Sequence, residues 1–306
     1  MNLDPLALGA TLYLPATRDD LAATLFGGRV PGLRSAVLCL EDAVREDEVP
    51  EALNRLTAFL RVLPIRRERG QPLLFVRPRG VDMLARILRM PGADQLSGFV
   101  LPKATAGNLP AYLALPLRPE HRLMPTLETR EMFDPWEVRR LREQLLAVQD
   151  RVLALRIGGN DLLKALGCRR PVMRTCYDGP LGAVIASLAG AFLPWGFALS
   201  APVMERFDAP DLLREEVARD LEHGLLTKTA IHPGQVAVIQ AAFAVASSEL
   251  ADARMILAAD CPAVFARSGA MCEPATHRCW AEKLVRRAEL FGVADPLPLS
   301  RRNWSA

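Results

Sequence analysis

The chain alternates between short apolar runs and longer stretches in which apolar and polar residues recur with a helical period. Short runs bounded by polar residues are typical of buried strands, and the amphipathic stretches between them predict helices such as 47–62 and 134–150. The eight predicted strands are 11–15, 36–41, 73–77, 98–102, 122–128, 152–157, 195–200 and 228–232.

The helix predicted over 134–150 carries a clear start signal. Asp134 stands at the N-cap position, Pro135 at the first helical position, and Glu137 three residues after the cap. This is a capping-box arrangement, in which the cap side chain and the later glutamate each accept a hydrogen bond from a backbone N–H. The helix is therefore predicted to begin at Pro135.

The alternation of strands and helices predicts a parallel sheet. Strand ends recur roughly every 25 to 40 residues, the spacing of a βα unit, and eight such units close into a (β/α)8 barrel of about 250 residues. A doubly wound open sheet is the alternative, but no GxGxxG motif follows the first strand to mark a dinucleotide site. We predict an α/β fold of the TIM-barrel type.

The barrel pattern stops near residue 246. Residues 247–260 and 277–291 have the apolar spacing of two helices, and they flank a glycine-containing stretch that does not form a ninth βα unit. We therefore predict a catalytic barrel domain over 1–246 and a C-terminal helical appendage over 247–306.

One long uncharged stretch tests whether the chain crosses a membrane. Residues 179–203 contain no charged side chain, and a stretch of this length can span a bilayer. Pro194, Gly196 and Pro202 divide it into a helix rich in alanine and glycine and a short strand, and neither piece is long enough alone. We predict no membrane segment.

The N-terminus and the cysteines favour a cytoplasmic location. The opening sequence MNLDPLALGA has an early aspartate and no basic region, unlike a secretory signal. The six cysteines include no CxxC pair, and cysteines in the cytosol stay reduced. We predict a cytoplasmic protein without disulfides.

The charge balance limits the class of partner. The chain has 38 Lys and Arg against 35 Asp and Glu, a net charge of +3. This surplus is too small to indicate a dedicated nucleic-acid binder, although it allows a local anion site. We predict a small anionic partner, with no nucleic acid and no membrane.

Polar residues follow every predicted strand. In a TIM barrel the C-terminal ends of the strands carry the chemistry, so these residues are the candidate site. Polar loops also occur on any barrel surface, which is the alternative interpretation. The candidates are Thr17, Arg18, Glu41, Asp42, Arg77, Arg79, Lys103, Glu128, Thr129, Asn160, Asp161, Ser200 and His232.

Two of these carboxylates predict a metal site. Glu128 and Asp161 end neighbouring strands, and two oxygen ligands completed by waters suit Mg²⁺. Arg77 and Lys103 would face them and hold the carboxylate and carbonyl oxygens of a substrate. A metal and cations around a small acid favour enolate chemistry. The alternatives are helix-capping carboxylates and a surface ion pair.

Seven motifs follow one another along the predicted strands: LYLPA, LEDAV, FVRPRG, GFVLPK, PTLET, RIGGNDLL and KTAIHPGQV. In this order they resemble the citrate lyase β-subunit-like family, which includes malyl-CoA lyases and, more distantly, the HpcH/HpaI aldolases. The segment around strand 7, TCYDGPLGAVIASLAGAFLPWGFALSAPVMERF, resembles a divergent branch of TIM-barrel C–C bond lyases.

The resemblance implies a reaction and a site. It implies reversible cleavage or formation of a C–C bond in a β-hydroxy acid or its CoA thioester, through a metal-stabilised enolate. Mg²⁺, or Mn²⁺ in its place, would lie on Glu128 and Asp161, and Arg77 would bind the substrate. The C-terminal segment would serve as a lid and in oligomerisation, in a homotrimer or hexamer.

The resemblance also implies a catalytic residue in the lid. In the stretch GAMCEPATH, Glu273 stands where the family has an acid/base Asp, so we predict that it moves a proton in its own or a neighbouring active site. Two departures concern the substrate: Cys39 replaces an Asp of the family's second strand, and RPRG replaces the usual RIN after the third. The use of CoA therefore stays open.

The remaining candidates receive supporting roles. Glu41 and Asp42 are predicted among the catalytic groups, orienting Arg77 or metal-bound water. The predicted substrate-binding residues are Arg18, Arg79, Lys103 and His232. For His232, which precedes Pro233 at a helix start, an architectural hydrogen bond is the alternative.

Two other classes of function stay open as alternatives. The first is a non-catalytic ligand-binding subunit that retains the barrel, which Cys39 and the altered strand 7 region would fit. The second is a zinc protein that uses a C-terminal cluster, although its ligand spacing does not match paired zinc knuckles. The residues of this cluster are Cys261, Cys272, His277 and Cys279.

Overall fold

The computed structural model describes residues 3–63, 70–267 and 269–294. Eight parallel strands form a closed barrel in the order β1 to β8, and β1 pairs with β8 to close it. The prediction of a TIM barrel is confirmed. The strands are β1 Ala10–Pro15, β2 Ser35–Cys39, β3 Leu73–Arg77, β4 Gly98–Leu101, β5 Arg122–Leu127, β6 Leu155–Ile157, β7 Leu199–Ala201 and β8 Thr227–Ala230.

Each predicted strand overlaps an observed one, and the largest shift is at strand 7. Gly196 has a left-handed backbone with φ 82° and ends a short 3-10 turn, so the strand begins only at Leu199. A turn that needs φ > 0 favours glycine, and the apolar pattern of WGFALS does not reveal it.

Helices follow the strands around the barrel. They are α1 Leu21–Phe26, α2 Val49–Arg61, α3 Val81–Ile87, α4 Leu109–Leu113, α5 Pro135–Leu146, α6 Gly159–Ala165, α7 Pro180–Phe192, α8 Pro210–Glu222 and α9 Pro233–Ala242.

The start of α5 is as predicted, but the reciprocal half of the cap is different. The Asp134 carboxylate accepts a hydrogen bond from the N–H of Trp136 at 2.9 Å. Glu137 forms an ion pair with Arg140 at 2.8 Å instead of completing a capping box. Asp134 therefore caps the helix without help from Glu137.

The inner face of the barrel changes from apolar to polar along the strands. On β3 the inward positions run from Leu73 and Phe75 to Arg77, and on β5 from Met124 to Thr126. Leu73, Phe75 and Met124 belong to one buried apolar cluster. Because the N-terminal end of the barrel is filled in this way, the polar side chains gather at the C-terminal end.

The chain divides into two compact units, Met1–Ile239 and Gln240–Ala306, a boundary close to the one predicted at 246 and 247. The second unit contains α10 Ser247–Leu257, a hairpin of β9 Phe265–Arg267 and β10 Ala270–Cys272, and α11 Pro274–Phe291. Val245, Leu250, Ala253, Ile256, Ala281 and Leu284 form its apolar core.

The uncharged stretch 179–203 contains α7 and the strand β7. Leu181, Ile185 and Leu188 of α7 are buried. Among the described residues, no helix combines the length and the apolar character needed to cross a membrane.

Candidate active site

A cavity of about 350 Å³ opens at the C-terminal end of the barrel. Its walls come from β1, β2, β3, β5, β6 and β8 and from the start of α6. The polar side chains that line it are Tyr13, Cys39, Asp42, Arg77, Thr126, Glu128, Arg156, Asn160, Asp161 and Thr229.

Arg77 lies at the centre of the polar end of this cavity and is 8% exposed. Its Nη2 is 2.7 Å from Glu41 Oε2, 2.8 Å from Glu128 Oε1 and 3.4 Å from Asp42 Oδ2. Burial alone would lower the pKa of Arg77, but the charge of Glu128 and the other nearby groups raises it above its ordinary value. Arg77 is therefore a permanent cation fixed by three carboxylates.

Arg77 also retains a donor. Its Nε is buried and has no hydrogen-bond partner among the described residues. A buried N–H without a partner is costly, and a ligand oxygen in the cavity would satisfy it.

Lys103 joins the same group of charges from the end of β4. Its Nζ forms an ion pair with Glu41 and lies 3.6 Å from Asp42 Oδ1, while its backbone N–H donates to Glu128 Oε1 at 2.8 Å. Lys103 has φ 48°, the left-handed region that non-glycine residues rarely adopt. Strained backbone of this kind occurs mainly at functional sites.

Glu128 is 4% exposed and follows β5 directly. Burial raises the pKa of Glu128, Arg77 and the Lys103 N–H lower it, and the charge of Asp161 raises it again. Oε1 already accepts two hydrogen bonds, whereas Oε2 accepts none within the described part of the chain. Glu128 therefore keeps one carboxylate oxygen available for a cation.

Gly158 creates the space for this carboxylate. A Cβ at Gly158 would be 2.3 Å from Glu128 Oε2, far inside van der Waals contact. The first glycine of RIGGNDLL therefore allows Glu128 to lie against the end of β6.

Asp161 belongs to the first turn of α6 and lines the same cavity as Glu128. The negative charge of Asp161 raises the pKa of Glu128, as expected for two carboxylates that line one cavity. Over the ranges 3–63, 70–267 and 269–294, no three His, Cys, Asp or Glu residues are grouped so that they could hold a metal. The donor set is therefore two carboxylates, which fits a cation that keeps most of its waters.

We call the charged groups at this end of the cavity the rim cluster. When all are ionised, its two cations and four carboxylates leave two negative charges, which a divalent cation would offset. The donor chemistry and the charge both fit Mg²⁺. The rim cluster consists of Arg77, Lys103, Glu41, Asp42, Glu128 and Asp161.

Two predicted substrate-binding arginines do not line the cavity. Arg18 forms a salt bridge with Asp20 at 2.7 Å and is largely exposed. Arg79 donates to the Leu40 carbonyl at 2.9 Å and pairs with Glu46 at 2.6 Å. These contacts tie Arg79 to the segment after β2, so the structure does not bring either arginine to the rim cluster.

His232 and Glu273 are placed by local contacts. The His232 ring stacks on Phe207 with centroids 5.1 Å apart, and its Nδ1 accepts a hydrogen bond from Gly234 N–H at 3.1 Å. This is the architectural role left open for His232. In the second unit, Glu273 stands at the N-cap of α11, and its N–H donates to His277 Nδ1 at 3.0 Å.

Sequence reasoning missed Arg156 and Gly158. Arg156 lines the cavity although it is 1% exposed and lies within the apolar run 152–157. The available signal was parity: Arg156 lies on β6 two residues before Gly158, which directly follows the strand, and residues two apart in extended chain face the same side. A charge inside a predicted buried strand is therefore a candidate for the barrel interior.

Proteins of known structure share the fold. CitE of Mycobacterium tuberculosis, in complex with magnesium, acetoacetate and coenzyme A, has a TM-score of 0.68 at 23% identity, over 93% of this chain and 99% of that chain. A citrate lyase of Burkholderia xenovorans LB400 has a TM-score of 0.71 at 20% identity, over 97% and 98%. At these identities the likeness is one of fold.

The sequence relatives include a (3S)-malyl-CoA thioesterase of Cereibacter sphaeroides, 26% identical over 251 residues and 82% of each chain. A family model for C–C bond lyases of the TIM-barrel fold matches residues 2–293. This match confirms the resemblance of the strand-end motifs. The chain belongs to the family of C–C bond lyases of the TIM-barrel fold.

Proposed function

We propose that the protein is a Mg²⁺-dependent lyase or aldolase that cleaves or forms a C–C bond in a β-hydroxy acid or its CoA thioester. The observation that carries this proposal is the rim cluster, in which Glu128 and Asp161 share a cavity and Arg77 is ion-paired to Glu128. Family membership and the magnesium in a related structure support it.

Glu128 and Asp161 would hold the metal. When bound, Mg²⁺ supplies a Lewis acid that polarises the carboxylate and carbonyl oxygens of a substrate, and Mn²⁺ can do the same. Glu128 Oε2, which accepts no hydrogen bond within the described residues, is the oxygen that we assign to this role. Oε1 stays with Arg77 and the Lys103 N–H.

Arg77 would stabilise the negative charge that develops on the substrate. C–C bond cleavage turns the β-hydroxyl into a carbonyl and leaves an electron pair that becomes an enolate. A fixed guanidinium near the enolate oxygen favours that charge without reorganising. Glu41 and Asp42 position Arg77 through its Nη2, so they act on the reaction through Arg77.

We assign the proton transfer to Glu273. In the cleavage direction a carboxylate takes the proton of the β-hydroxyl, and the enolate carbon later accepts a proton from the same group, so no further reactant is needed. Four other points also stay predictions. They are the assembly into a homotrimer or hexamer, the cytoplasmic location, substrate binding by Arg18 and Arg79, and the class of partner.

Calorimetric titration with Mg²⁺ tests the metal site. We expect Glu128→Gln and Asp161→Asn each to weaken Mg²⁺ binding by about 100-fold or more, because even residues behind the ligands contribute 10- to 100-fold. The control is Glu143→Gln, an exposed carboxylate on α5. Unchanged Mg²⁺ affinity in both site variants would contradict the proposal.

Product analysis tests the reaction. The protein is incubated with Mg²⁺ and a set of β-hydroxy acids and their CoA thioesters, and the products are identified by mass spectrometry. We expect a shorter carbonyl compound, and about 100-fold slower turnover in Glu273→Gln with unchanged Mg²⁺ affinity.

Two results would count against the lyase. Free CoA with an intact carbon skeleton would indicate thioester hydrolysis, the activity named for the C. sphaeroides relative. Binding without any turnover would favour the non-catalytic subunit.

A further inference from the structure

Arg156 differs from every other cation of the cavity in its surroundings. It lies on β6, is 1% exposed, and donates to Thr229 Oγ1 at 2.6 Å and to Thr11 Oγ1 at 3.4 Å. Its guanidinium lies over the Tyr13 ring, 5.2 Å from the centroid. All of these partners are uncharged.

No carboxylate of the described residues forms an ion pair with Arg156, whereas Arg77 contacts three. Burial lowers the pKa of Arg156, but a guanidinium stays protonated in proteins. Its Nε is buried and has no hydrogen-bond partner in the described part of the chain. A buried cation without an opposite charge is costly, and a bound anion would offset that cost.

A second unsatisfied group lies beside it. Thr126 on β5 pairs in register with Arg156 on β6, and both line the cavity. Thr126 Oγ1 is buried and, within the described residues, has no hydrogen-bond partner. A guanidinium N–H and a hydroxyl on adjacent strands are therefore both left to a ligand.

These groups lie deeper than the rim cluster. Thr126 precedes Glu128 by two residues and faces the same side of the sheet, so the floor lies about 7 Å nearer the N-terminal end of the barrel, at about 3.3 Å per residue. The cavity thus has charged groups at two ends. A ligand that satisfies both must carry polar groups at both of its ends.

We propose that Arg156 and Thr126 form a second anion site on the floor of the cavity, which binds the far carboxylate of a small dicarboxylic acid. One guanidinium balances one carboxylate, whereas a phosphate dianion would leave a buried negative charge without compensation. The inference rests on the proposed function only for the near end of the acid, which the rim cluster would hold.

The test compares butyrate with butyramide, which have the same four-carbon length but differ by the negative charge of the carboxylate. Binding to the full chain is followed by NMR titration in the millimolar range, in EDTA, so that the metal site does not contribute. Because hydrogen bonds to charged groups are strong, we expect the wild type to bind butyrate about tenfold or more tightly than butyramide.

Arg156→Met should abolish the preference for butyrate, and Thr126→Val should reduce it severalfold. Arg139→Met, which removes an exposed cation of α5, should retain it. Absence of butyrate binding, equal binding of the two compounds by the wild type, or an unchanged preference in both floor variants would overturn the floor site. If Arg156→Met does not fold, Thr126→Val alone decides between these outcomes.

The floor site and the lyase proposal can fail separately. A wild type that prefers butyrate to butyramide in EDTA but does not bind Mg²⁺ keeps the floor site and rejects the metal-dependent lyase. A wild type that binds Mg²⁺ through Glu128 and Asp161 but does not distinguish the two compounds gives the opposite result.

Discussion

Two groups of charges on the same barrel differ in burial and in composition. The rim cluster opens into the cavity and carries an excess of carboxylates. On the outer side of β8, Lys228 contacts Glu216 at 3.0 Å and Asp220 at 2.9 Å, and Arg170 also pairs with Glu216. We call Arg170, Lys228, Glu216 and Asp220 the wall cluster.

The wall cluster is balanced in charge. It contains two cations and two carboxylates, and the side chains of Lys228, Glu216 and Asp220 are 0% exposed. The Tyr177 hydroxyl donates to Asp220 at 2.6 Å, and the Cys176 N–H donates to Glu216 at 2.9 Å. Arg170 Nε is buried and has no hydrogen-bond partner in the described part of the chain. The ion pairs of the cluster attach the segment before α7 to α8.

The difference teaches how a structural group of charges can be distinguished from a binding site. In the wall cluster every charge is paired with an opposite charge, and none of its four side chains lines the cavity. In the cavity two negative charges at the rim, a free oxygen of Glu128 and the lone cation Arg156 stay unmatched by protein groups. Unmatched charge next to a cavity is the property that indicates ligand binding.

The largest expected effect is on stability, in the wall cluster. Lys228→Met leaves two carboxylates buried around an apolar side chain, and breaking a buried pair in this way costs about 3–5 kcal/mol. We expect this loss in the free energy of unfolding, measured in urea with EDTA present.

Lys103→Met is the matched variant in the rim cluster. The Lys103 side chain is 44% exposed, and Glu41, which is 9% exposed, keeps Arg77 as a partner, so we expect a loss of at most about 1 kcal/mol. Equal losses in the two variants would show that the two clusters do not differ in the way described.

The next effect is on the metal site. In Gly158→Ala the new Cβ displaces Glu128, and we expect Mg²⁺ binding to weaken by about 10- to 100-fold, as for residues that position metal ligands. Gly158 has φ −86°, which alanine adopts readily, so the effect is steric and not one of backbone strain.

Gly190→Ala on α7 provides the control for this substitution. A Cβ there meets no atom within 4 Å, and we expect unchanged Mg²⁺ affinity with a gain of about 0.4–1 kcal/mol in stability. If Gly158→Ala binds Mg²⁺ as the wild type does, Glu128 does not need the space that the glycine leaves.

The smallest effect concerns a buried ionisable group without an opposite charge. His121 is 1% exposed, and burial lowers its pKa below the ordinary value. The unfolded chain then binds the proton more readily, so stability falls as the pH drops below about 6.5, while above that pH this group contributes no pH dependence.

Unfolding measured between pH 7 and 5 checks this sign. We expect His121→Asn to remove part of the acid-induced loss of stability. Superimposable pH profiles for the variant and the wild type would show that His121 does not titrate differently in the two states. Unlike the two clusters, which keep their charges by pairing, His121 is expected to remain neutral.

The local pattern of residues along the chain was sufficient to predict the fold and the rim cluster, but not Arg156. Each predicted strand overlaps an observed one, because strand length and apolar runs depend on neighbours in sequence. Glu41, Asp42, Arg77, Lys103, Glu128 and Asp161 were predicted from their positions after strands, and the structure brings them together. The same reasoning also selected Arg18 and Arg79, which turn to other partners.

The sequence by itself determined the eight strands, the barrel and the acids at its rim, since periodicity and strand ends are written in consecutive residues. Tertiary structure alone decided which charges pair. Lys228 and Arg156 both stand on predicted strands, yet Lys228 faces outward and pairs with two carboxylates, whereas Arg156 faces the cavity and forms no ion pair with a carboxylate of the described residues. The physical reason is that electrostatic compensation depends on distances between residues far apart in the chain, which no local pattern contains.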